Sequence, residues 1–186
     1  MVVQQASGEQ SSIEARFVVR AAGTWSNEAV PGAPALPLRP VKGHVLRLTG
    51  TPRLQHVVRT PDVYLVPRID GTLIVGATSE DVGLDASVRA GAVMDLLRHA
   101  FAVLPAVAEL ALDEVSVGFR PALRDHLPAI GPTRVPGLYD AVGHHRNGVL
   151  LAPITARLLV AALRTGETGP DLWDVLPTRF DEEHTR

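Results

Sequence analysis

The sequence has 186 residues, of which 46% are hydrophobic and 20% are charged, and its 18 basic and 20 acidic side chains give a formal net charge of −2. This length is typical of a globular domain. The near-neutral charge argues against nucleic acid as a partner, and the absence of cysteine excludes disulfides and cysteine-ligated metals. We therefore expect a cytoplasmic protein whose partner is a small molecule or another protein.

The longest apolar stretch runs from Val149 to Leu163 and contains Pro153 and Arg157. It is shorter than the roughly 20 apolar residues needed to cross a bilayer. We therefore predict a buried helix and no membrane partner. Residues 1–16 do not resemble a secretory signal, because no cationic start leads into an apolar core.

Hydrophobic periodicity predicts six strands, at residues 15–21, 42–49, 63–68, 72–78, 114–120 and 138–143. Two helices are predicted at 87–104, with Ser87 as N-cap, and at 153–165, with Pro153 in the first turn. No internal repeat is present, and the best boundary candidate is the proline-rich passage from Pro31 to Pro40. This mixture of elements predicts an α/β (α+β) fold.

A hairpin is the clearest local signal, since Asp70-Gly71 between two apolar strands is typical of a two-residue turn. If Ile69 pairs with Thr72, Tyr64 lies opposite Ala77, and Ser79 lies diagonally on the same face. One face of the hairpin is then expected to offer two hydroxyl groups.

Six short motifs occur in order along the chain: Ala21-Ala22-Gly23-Thr24-Trp25-Ser26, Pro40-Val41-Lys42-Gly43, Tyr64-Leu65-Val66-Pro67-Arg68, Gly76-Ala77-Thr78-Ser79, Gly118-Phe119-Arg120-Pro121 and His144-His145-Arg146-Asn147-Gly148. Together they resemble the C-terminal part of the flavin-dependent glycine oxidases of the D-amino-acid oxidase family. The resemblance covers nearly the whole chain, from Ile13 to Phe180.

The resemblance implies FAD as cofactor and oxidation of glycine or a small amino acid or amine to an imine, with oxygen reduced to hydrogen peroxide, in thiamine biosynthesis. Sarcosine oxidase and D-amino-acid dehydrogenase are the alternative hypotheses for the enzyme activity. The resemblance also implies interleaved domains. Residues 1–40 would be a remnant of an incomplete FAD-binding Rossmann-like domain, 41–116 a substrate domain with an antiparallel or mixed sheet, and 117–186 the closing segment of the FAD-binding domain.

Four residues are predicted to bind substrate. The planar guanidinium of Arg120 would clamp a carboxylate with two hydrogen bonds, and the resemblance implies that the Tyr64 hydroxyl adds another. By the same resemblance, Arg146 would line the substrate side of the flavin. Ser79 is included because the predicted hairpin register places it on the same face as Tyr64.

The predicted cofactor contacts form two groups. One precedes an apolar helix, whose free N–H groups would stabilise negative charge on a reduced flavin; it contains His144, His145, Arg146, Asn147, Gly148, Val149 and Leu150. The other follows the first strand and contains Ala22, Gly23 and Trp25; from the residues alone, Trp25 would be a core side chain. The seven histidines show no metal-ligand spacing, so no metal is predicted.

Two departures from the family are visible. His145 stands where the family usually has phenylalanine or tyrosine. In addition, no two glycines stand two residues apart, so the Gly-x-Gly-x-x-Gly turn that binds a dinucleotide pyrophosphate is missing. We therefore expect these residues alone to bind FAD poorly. Two alternatives stay open. One is a truncated gene model. The other is a non-catalytic remnant or interaction module, which would associate through the sheet or through uncovered flavin-domain surface, for example as a homo-oligomer.

Overall fold

A computed structural model describes residues 2–4, 10–51 and 54–185. Its strands are β1 (Val2–Gln4), β2 (Gln10–Ser12), β3 (Val18–Arg20), β4 (Leu38–Thr49), β5 (Val58–Arg59), β6 (Tyr64–Pro67), β7 (Thr72–Gly76), β8 (Ala111–Leu123), β9 (Ala129–Pro132) and β10 (Leu138–Val142). The α-helices are α1 (Ser26–Ala29), α2 (Ala90–Val103) and α3 (Gly148–Thr165). Short 3-10 helices lie at Gly23–Trp25, Pro105–Glu109, His145–Asn147, Pro170–Val175 and Pro177–Thr185.

The chain divides into two compact units. The split unit comprises residues 1–38 and 121–186, and the sheet unit comprises residues 39–120. A short hairpin of β1 and β2 belongs to the split unit.

A five-stranded sheet, in the order β5-β6-β7-β4-β8, forms the body of the sheet unit. Because side chains alternate along a strand, every second residue points toward α2. The core on that side consists of fully buried leucine, valine and alanine side chains, namely Leu46, Leu48, Leu65, Leu73, Val75, Leu96 and Ala100. The opposite side of the sheet, which we call the open face, carries the other residues of each strand.

The predicted hairpin is present between β6 and β7, but its predicted register is wrong by one residue. Arg68 and Thr72 close the turn, since the Arg68 N–H donates to the Thr72 carbonyl at 2.8 Å. Gly71 takes the left-handed conformation, with φ of 83°, which is typical of a three-residue loop. As a result, Tyr64 pairs with Gly76 and not with Ala77.

The predicted start of α2 also differs from the observed one. Arg89, not Ser87, is the N-cap residue, and the Arg89 N–H donates to the ring nitrogen Nε2 of His44 at 3.1 Å. Ser87 lies in the preceding loop, where its N–H donates to the side chain of Asp85. A contact with a distant strand therefore caps the helix, and local sequence does not reveal it.

The split unit contains a mixed three-stranded sheet in the order β3-β10-β9. β3 is parallel to β10, and β9 is antiparallel to it. Arg20 and Asp140 are partners in this register, and their fully buried side chains form two hydrogen bonds, of 2.7 and 2.8 Å. The third donor of Arg20 binds the Pro34 carbonyl at 2.9 Å, so this ion pair fastens the loop after α1 to the sheet.

Helix α3 begins five residues before the predicted start, so Pro153 lies inside it and not in the first turn. The expectation of a buried helix holds for the face that contains Thr155, Leu159 and Ala162 and is wrong for the remainder. Residues His145–Thr165 are long and apolar enough to cross a membrane, by length and composition only, with 17% of the stretch buried. The core helix of a soluble protein can have the same length and composition.

Candidate functional site

The open face of the five-stranded sheet holds the predicted substrate residues Tyr64 and Arg120. Pairing places Tyr64 opposite Gly76 and Gly76 opposite Val45, so these three residues form a row across β6, β7 and β4. Directly opposed residues share a face of a sheet. The row therefore lies on the open face, away from the core that packs on α2.

Tyr64 is half-buried because its ring lies over Gly76. A Cβ atom on Gly76 would stand 2.5 Å from Cζ and 2.9 Å from Cε2 of this ring. Only glycine leaves room for the ring in this position. The phenol group is thereby held over β7, toward the middle of the sheet.

Arg120 lies over a second glycine. A Cβ atom on Gly43 would stand 2.5 Å from Nη1, 2.7 Å from Nη2 and 2.9 Å from Cζ of the guanidinium. To one side, Nη1 donates a hydrogen bond to the Thr78 carbonyl at 3.2 Å. The guanidinium therefore rests against backbone on β4 and on the segment that follows β7.

The two glycines bring Tyr64 and Arg120 toward the same area. Gly43 lies two residues before Val45 on β4, and Val45 pairs with Gly76. Such diagonal neighbours on antiparallel strands are usually about 7–8 Å apart. A guanidinium and a phenol hydroxyl that rest on glycines at this spacing can both donate hydrogen bonds to a small carboxylate.

On the other side of the sheet, Lys42 and His44 are fully buried. The Lys42 ammonium donates to the Ser87 carbonyl at 2.6 Å and lies 3.7 Å from a carboxylate oxygen of Asp85. Hydrogen bonds from Ser87 and Arg89 hold the pKa of Asp85 well below its usual range, and the charge of Lys42 acts in the same direction. This buried ammonium fastens the loop before α2 to β4.

The His44 ring links β4 to the segment after β7. Its Nε2 accepts the Arg89 N–H, so the proton of the neutral ring lies on Nδ1. Nδ1 is 2.9 Å from Oε1 of Glu80 and 3.0 Å from the Thr78 hydroxyl. The pKa of Glu80 is lowered, first by the hydrogen bond from Thr78 and then by the hydrogen bond from His44 and the charge of Lys42.

Ser79 does not have the position expected for it. β7 ends at Gly76, and Ser79 is exposed in the following segment. With Tyr64 opposite Gly76, the diagonal relationship that supported Ser79 is lost. The neighbour Thr78 makes the contact with Arg120 instead. Sequence reasoning missed Thr78 and the two glycines under Tyr64 and Arg120, although all three stand within the quoted motifs.

In the split unit, the predicted cofactor residues 144–150 form a 3-10 turn followed directly by α3. His144 anchors this turn, because its Nε2 lies 2.9 Å from the Thr155 hydroxyl. Burial lowers the pKa of His144. His145 takes a positive φ of 49°, and its ring lies 5.9 Å from that of His126. Arg146 and Asn147 are exposed.

The first turn of α3 has no side-chain cap and presents apolar side chains. Asn147 precedes the helix and makes no side-chain hydrogen bond to the N–H groups of the first turn. Val149 is 94% exposed and Leu150 is 78% exposed. This surface can contact a flat, partly apolar ligand that carries negative charge near the helix N-terminus.

Ala22, Gly23 and Trp25 follow β3, and Gly23–Trp25 forms a 3-10 turn. Gly23 has a φ of 58°, and a Cβ there would meet no atom within 4 Å. Trp25 is 51% exposed, so the interpretation of it as a core side chain, from the residues alone, is wrong. Its contact with a cofactor stays a prediction.

Comparison with known proteins agrees with the expected family. Residues 1–162 match the family model described as FAD dependent oxidoreductase. The chain is 40% identical over 163 residues to the bifunctional protein ThiO/ThiG of Nostoc sp., covering 85% of this chain and 24% of that protein. It is 38% identical over 165 residues to glycine oxidase of Geobacillus kaustophilus, covering 85% of this chain and 43% of the relative.

Solved structures show the same fold. The crystal structure of glycine oxidase from Geobacillus kaustophilus superposes with a TM-score of 0.81 at 35% identity, covering 96% of this chain and 48% of that one. Iminodiacetate oxidase from Chelativorans sp. BNC1 gives a TM-score of 0.79 at 26% identity, covering 95% and 51%. The chain thus spans between about a quarter and a half of the length of the relatives it matches. The predicted family and the mixed α/β fold are confirmed: the chain belongs to the FAD dependent oxidoreductase family.

Proposed function

We propose that the chain takes part in the FAD-dependent oxidation of glycine or another small amino acid, with the sheet unit binding the substrate and the split unit contacting the cofactor. The observation that carries this proposal is the approach of Tyr64 and Arg120 to one area of the open face, above Gly76 and Gly43. The names of the relatives, which include several glycine oxidases, support the substrate class.

Arg120 would bind the substrate carboxylate. Its guanidinium offers several N–H donors in one plane, which suits the two oxygens of a carboxylate. One donor is engaged by the Thr78 carbonyl, which limits rotation of the guanidinium. Tyr64 would donate its hydroxyl to the same carboxylate, so that the carboxylate end of the substrate is oriented relative to the sheet.

The first turn of α3 and the residues before it would hold the flavin ring of FAD. The uncapped N–H groups suit the electron-rich edge of a flavin, and the exposed side chains of Val149 and Leu150 suit its flat apolar surface. Gly23 and Trp25 would contact another part of the same cofactor. Bound FAD would supply the two-electron acceptor that the protein side chains lack.

The overall reaction converts glycine, oxygen and water to glyoxylate, ammonia and hydrogen peroxide, through an imine that hydrolyses. No side chain needs to remove a proton from carbon in this scheme. The task of the protein residues is positioning and electrostatic stabilisation. The resemblance to the glycine oxidases of thiamine biosynthesis leads us to propose the same role for this chain.

A reconstitution experiment tests the proposal. Because these residues alone are expected to bind FAD poorly, the purified chain is mixed with FAD in large excess, and peroxide is measured after addition of glycine, sarcosine or D-alanine. We expect peroxide with at least one amine, and a loss of most of this activity in Arg120→Leu. Arg124→Leu is the matched control, because Arg124 is an exposed arginine four residues away on the chain. A colourless protein that produces no peroxide would contradict catalysis by this chain and favour the non-catalytic alternative.

A further inference from the structure

Thr78 connects the open face of the sheet with the buried cluster beneath it. On the open face, its carbonyl accepts the hydrogen bond from Nη1 of Arg120, at 3.2 Å. Its hydroxyl accepts the backbone N–H of His44 at 2.9 Å and donates to Oε1 of Glu80 at 2.6 Å. One residue therefore makes polar contacts toward both sides.

The Thr78 hydroxyl is held by partners that are themselves fixed. Oε1 of Glu80 also lies 2.9 Å from Nδ1 of His44, and His44 is fully buried and bonded to the start of α2. Hydrogen bonds to an ionised carboxylate are about twice as strong as those between neutral groups. These contacts set the rotamer of Thr78. Together with the hydrogen bond from the Thr78 N–H to the His44 carbonyl, at 3.4 Å, they hold the backbone at this residue.

Two contacts of the Arg120 guanidinium differ in what they fix. Gly43 supplies a flat surface beneath it, but a surface does not set rotation within the plane. The Thr78 carbonyl contributes a directional contact at one edge. A guanidinium binds a carboxylate with two parallel hydrogen bonds only when its plane and edge are aligned with the ligand.

We propose that Thr78 is a positioning residue for Arg120, and that its hydroxyl acts by fixing the carbonyl that orients the guanidinium. Glu80 and His44 provide the support from the buried side. This inference rests on the proposed function, because it assigns the orientation of Arg120 to carboxylate binding.

The test compares Thr78→Val, which has the shape of threonine without the hydroxyl, with the control Thr78→Ser, which keeps the hydroxyl. The full 186-residue chain is used. Three quantities are measured: the rotation rate of the Arg120 guanidinium by nitrogen NMR without ligand, the affinity for glycolate as a carboxylate probe, and the midpoint of thermal unfolding.

In Thr78→Val, we expect faster rotation of the Arg120 guanidinium and about a tenfold loss of glycolate affinity, corresponding to one hydrogen bond. Thr78→Ser should retain the rotation rate and the affinity. Unchanged rotation in Thr78→Val would overturn the proposal, and so would equal losses in both variants. If Thr78→Val does not fold, Thr78→Ala removes the hydroxyl with a smaller side chain; unfolding of both would show a structural role and overturn the proposal.

The same experiment separates this inference from the proposed function. If the wild-type chain does not bind glycolate but rotation of Arg120 responds to Thr78→Val, the positioning contact is supported and the substrate assignment fails. If the wild-type chain binds glycolate through Arg120 and neither quantity responds to Thr78→Val, the substrate assignment is supported and the positioning role is overturned.

Discussion

The guanidinium of Arg120 lies against Gly43 so closely that a Cβ atom at Gly43 would stand 2.5 Å from Nη1. Gly43 follows the buried Lys42 and precedes the buried His44. Alternation along β4 therefore places two anchoring side chains on one face and leaves a flat surface for Arg120 on the other.

Gly43→Ala tests this relationship. The added methyl group overlaps the end of a flexible side chain, so we expect Arg120 to move and the free energy of unfolding to change by less than about 1 kcal/mol. Affinity for glycolate should fall about tenfold, because the Arg120 guanidinium that would bind the carboxylate is displaced. Calorimetric titration and thermal unfolding measure the two effects.

Gly118→Ala is the matched control, because a Cβ at Gly118 on β8 would meet no atom within 4 Å. It should leave both quantities unchanged. Wild-type affinity in Gly43→Ala would show that the contact with Gly43 does not position the Arg120 guanidinium.

Arg120→Lys keeps the positive charge and loses the planar set of donors. We expect glycolate affinity to fall by about 10–100-fold, equivalent to about 1.5–3 kcal/mol for hydrogen bonds to a charged group. Titration calorimetry at constant ionic strength measures the loss. Retention of wild-type affinity would mean that charge alone holds the carboxylate. This result would contradict binding through two hydrogen bonds from the guanidinium.

The buried pair of Arg20 and Asp140 makes a prediction about stability. Arg20→Met leaves the carboxylate of Asp140 buried without its partner, and we expect a loss of about 3–5 kcal/mol in the free energy of unfolding. The double variant Arg20→Met/Asp140→Leu should recover most of this loss, since no uncompensated charge remains. Urea unfolding of both variants measures the effect.

The exposed pair of Arg39 and Asp81 supplies the comparison for that experiment, with side chains 40% and 63% exposed. Arg39→Met should cost less than about 1 kcal/mol, because water screens such a pair. Equal costs for Arg20→Met and Arg39→Met would argue against a special contribution from burial.

The buried position of His144 predicts a dependence of stability on pH. Its pKa in the folded protein is below the ordinary value of 6.5, so the unfolded chain takes up this proton first as the pH falls. The contribution of His144 to the free energy of unfolding should therefore decrease from about pH 6.5 down to its folded pKa and change no further below that.

Proton NMR of the His144 ring measures this pKa directly, and Thr155→Val tests whether the hydrogen bond to Nε2 contributes. A pKa for His144 at or above the ordinary histidine value of 6.5 would contradict the account.

Local sequence patterns predicted some elements well and missed what depends on distant residues. The pattern around Asp70 and Gly71 predicted a hairpin, but a three-residue loop shifted its register. Helix α2 does not begin after Ser87 as predicted, because the N-cap residue is Arg89. The Arg89 N–H binds His44, which lies 45 residues earlier in the chain. The partnership of Arg20 and Asp140 joins residues 120 positions apart, and no local pattern contains such information.

The candidate site was predicted in part. Tyr64 and Arg120 were proposed from their motifs, and the structure shows a glycine on a central strand beneath each of them. Their role in substrate binding stays a prediction. Thr78 was missed because its contact with Arg120 is made by a backbone carbonyl, and no side-chain pattern in the sequence indicates such a contact. Ser79 was favoured only by a register that the structure does not have.

We propose that the open face of the sheet binds a small carboxylate between Arg120 and Tyr64. Titration of the labelled chain with glycolate, followed by NMR of the arginine and tyrosine side chains, tests it most directly. We predict saturable shifts at Arg120 and Tyr64 that disappear in Arg120→Leu and persist in Arg124→Leu. Shifts confined to other arginines, or no saturable shift at Arg120, would contradict the account.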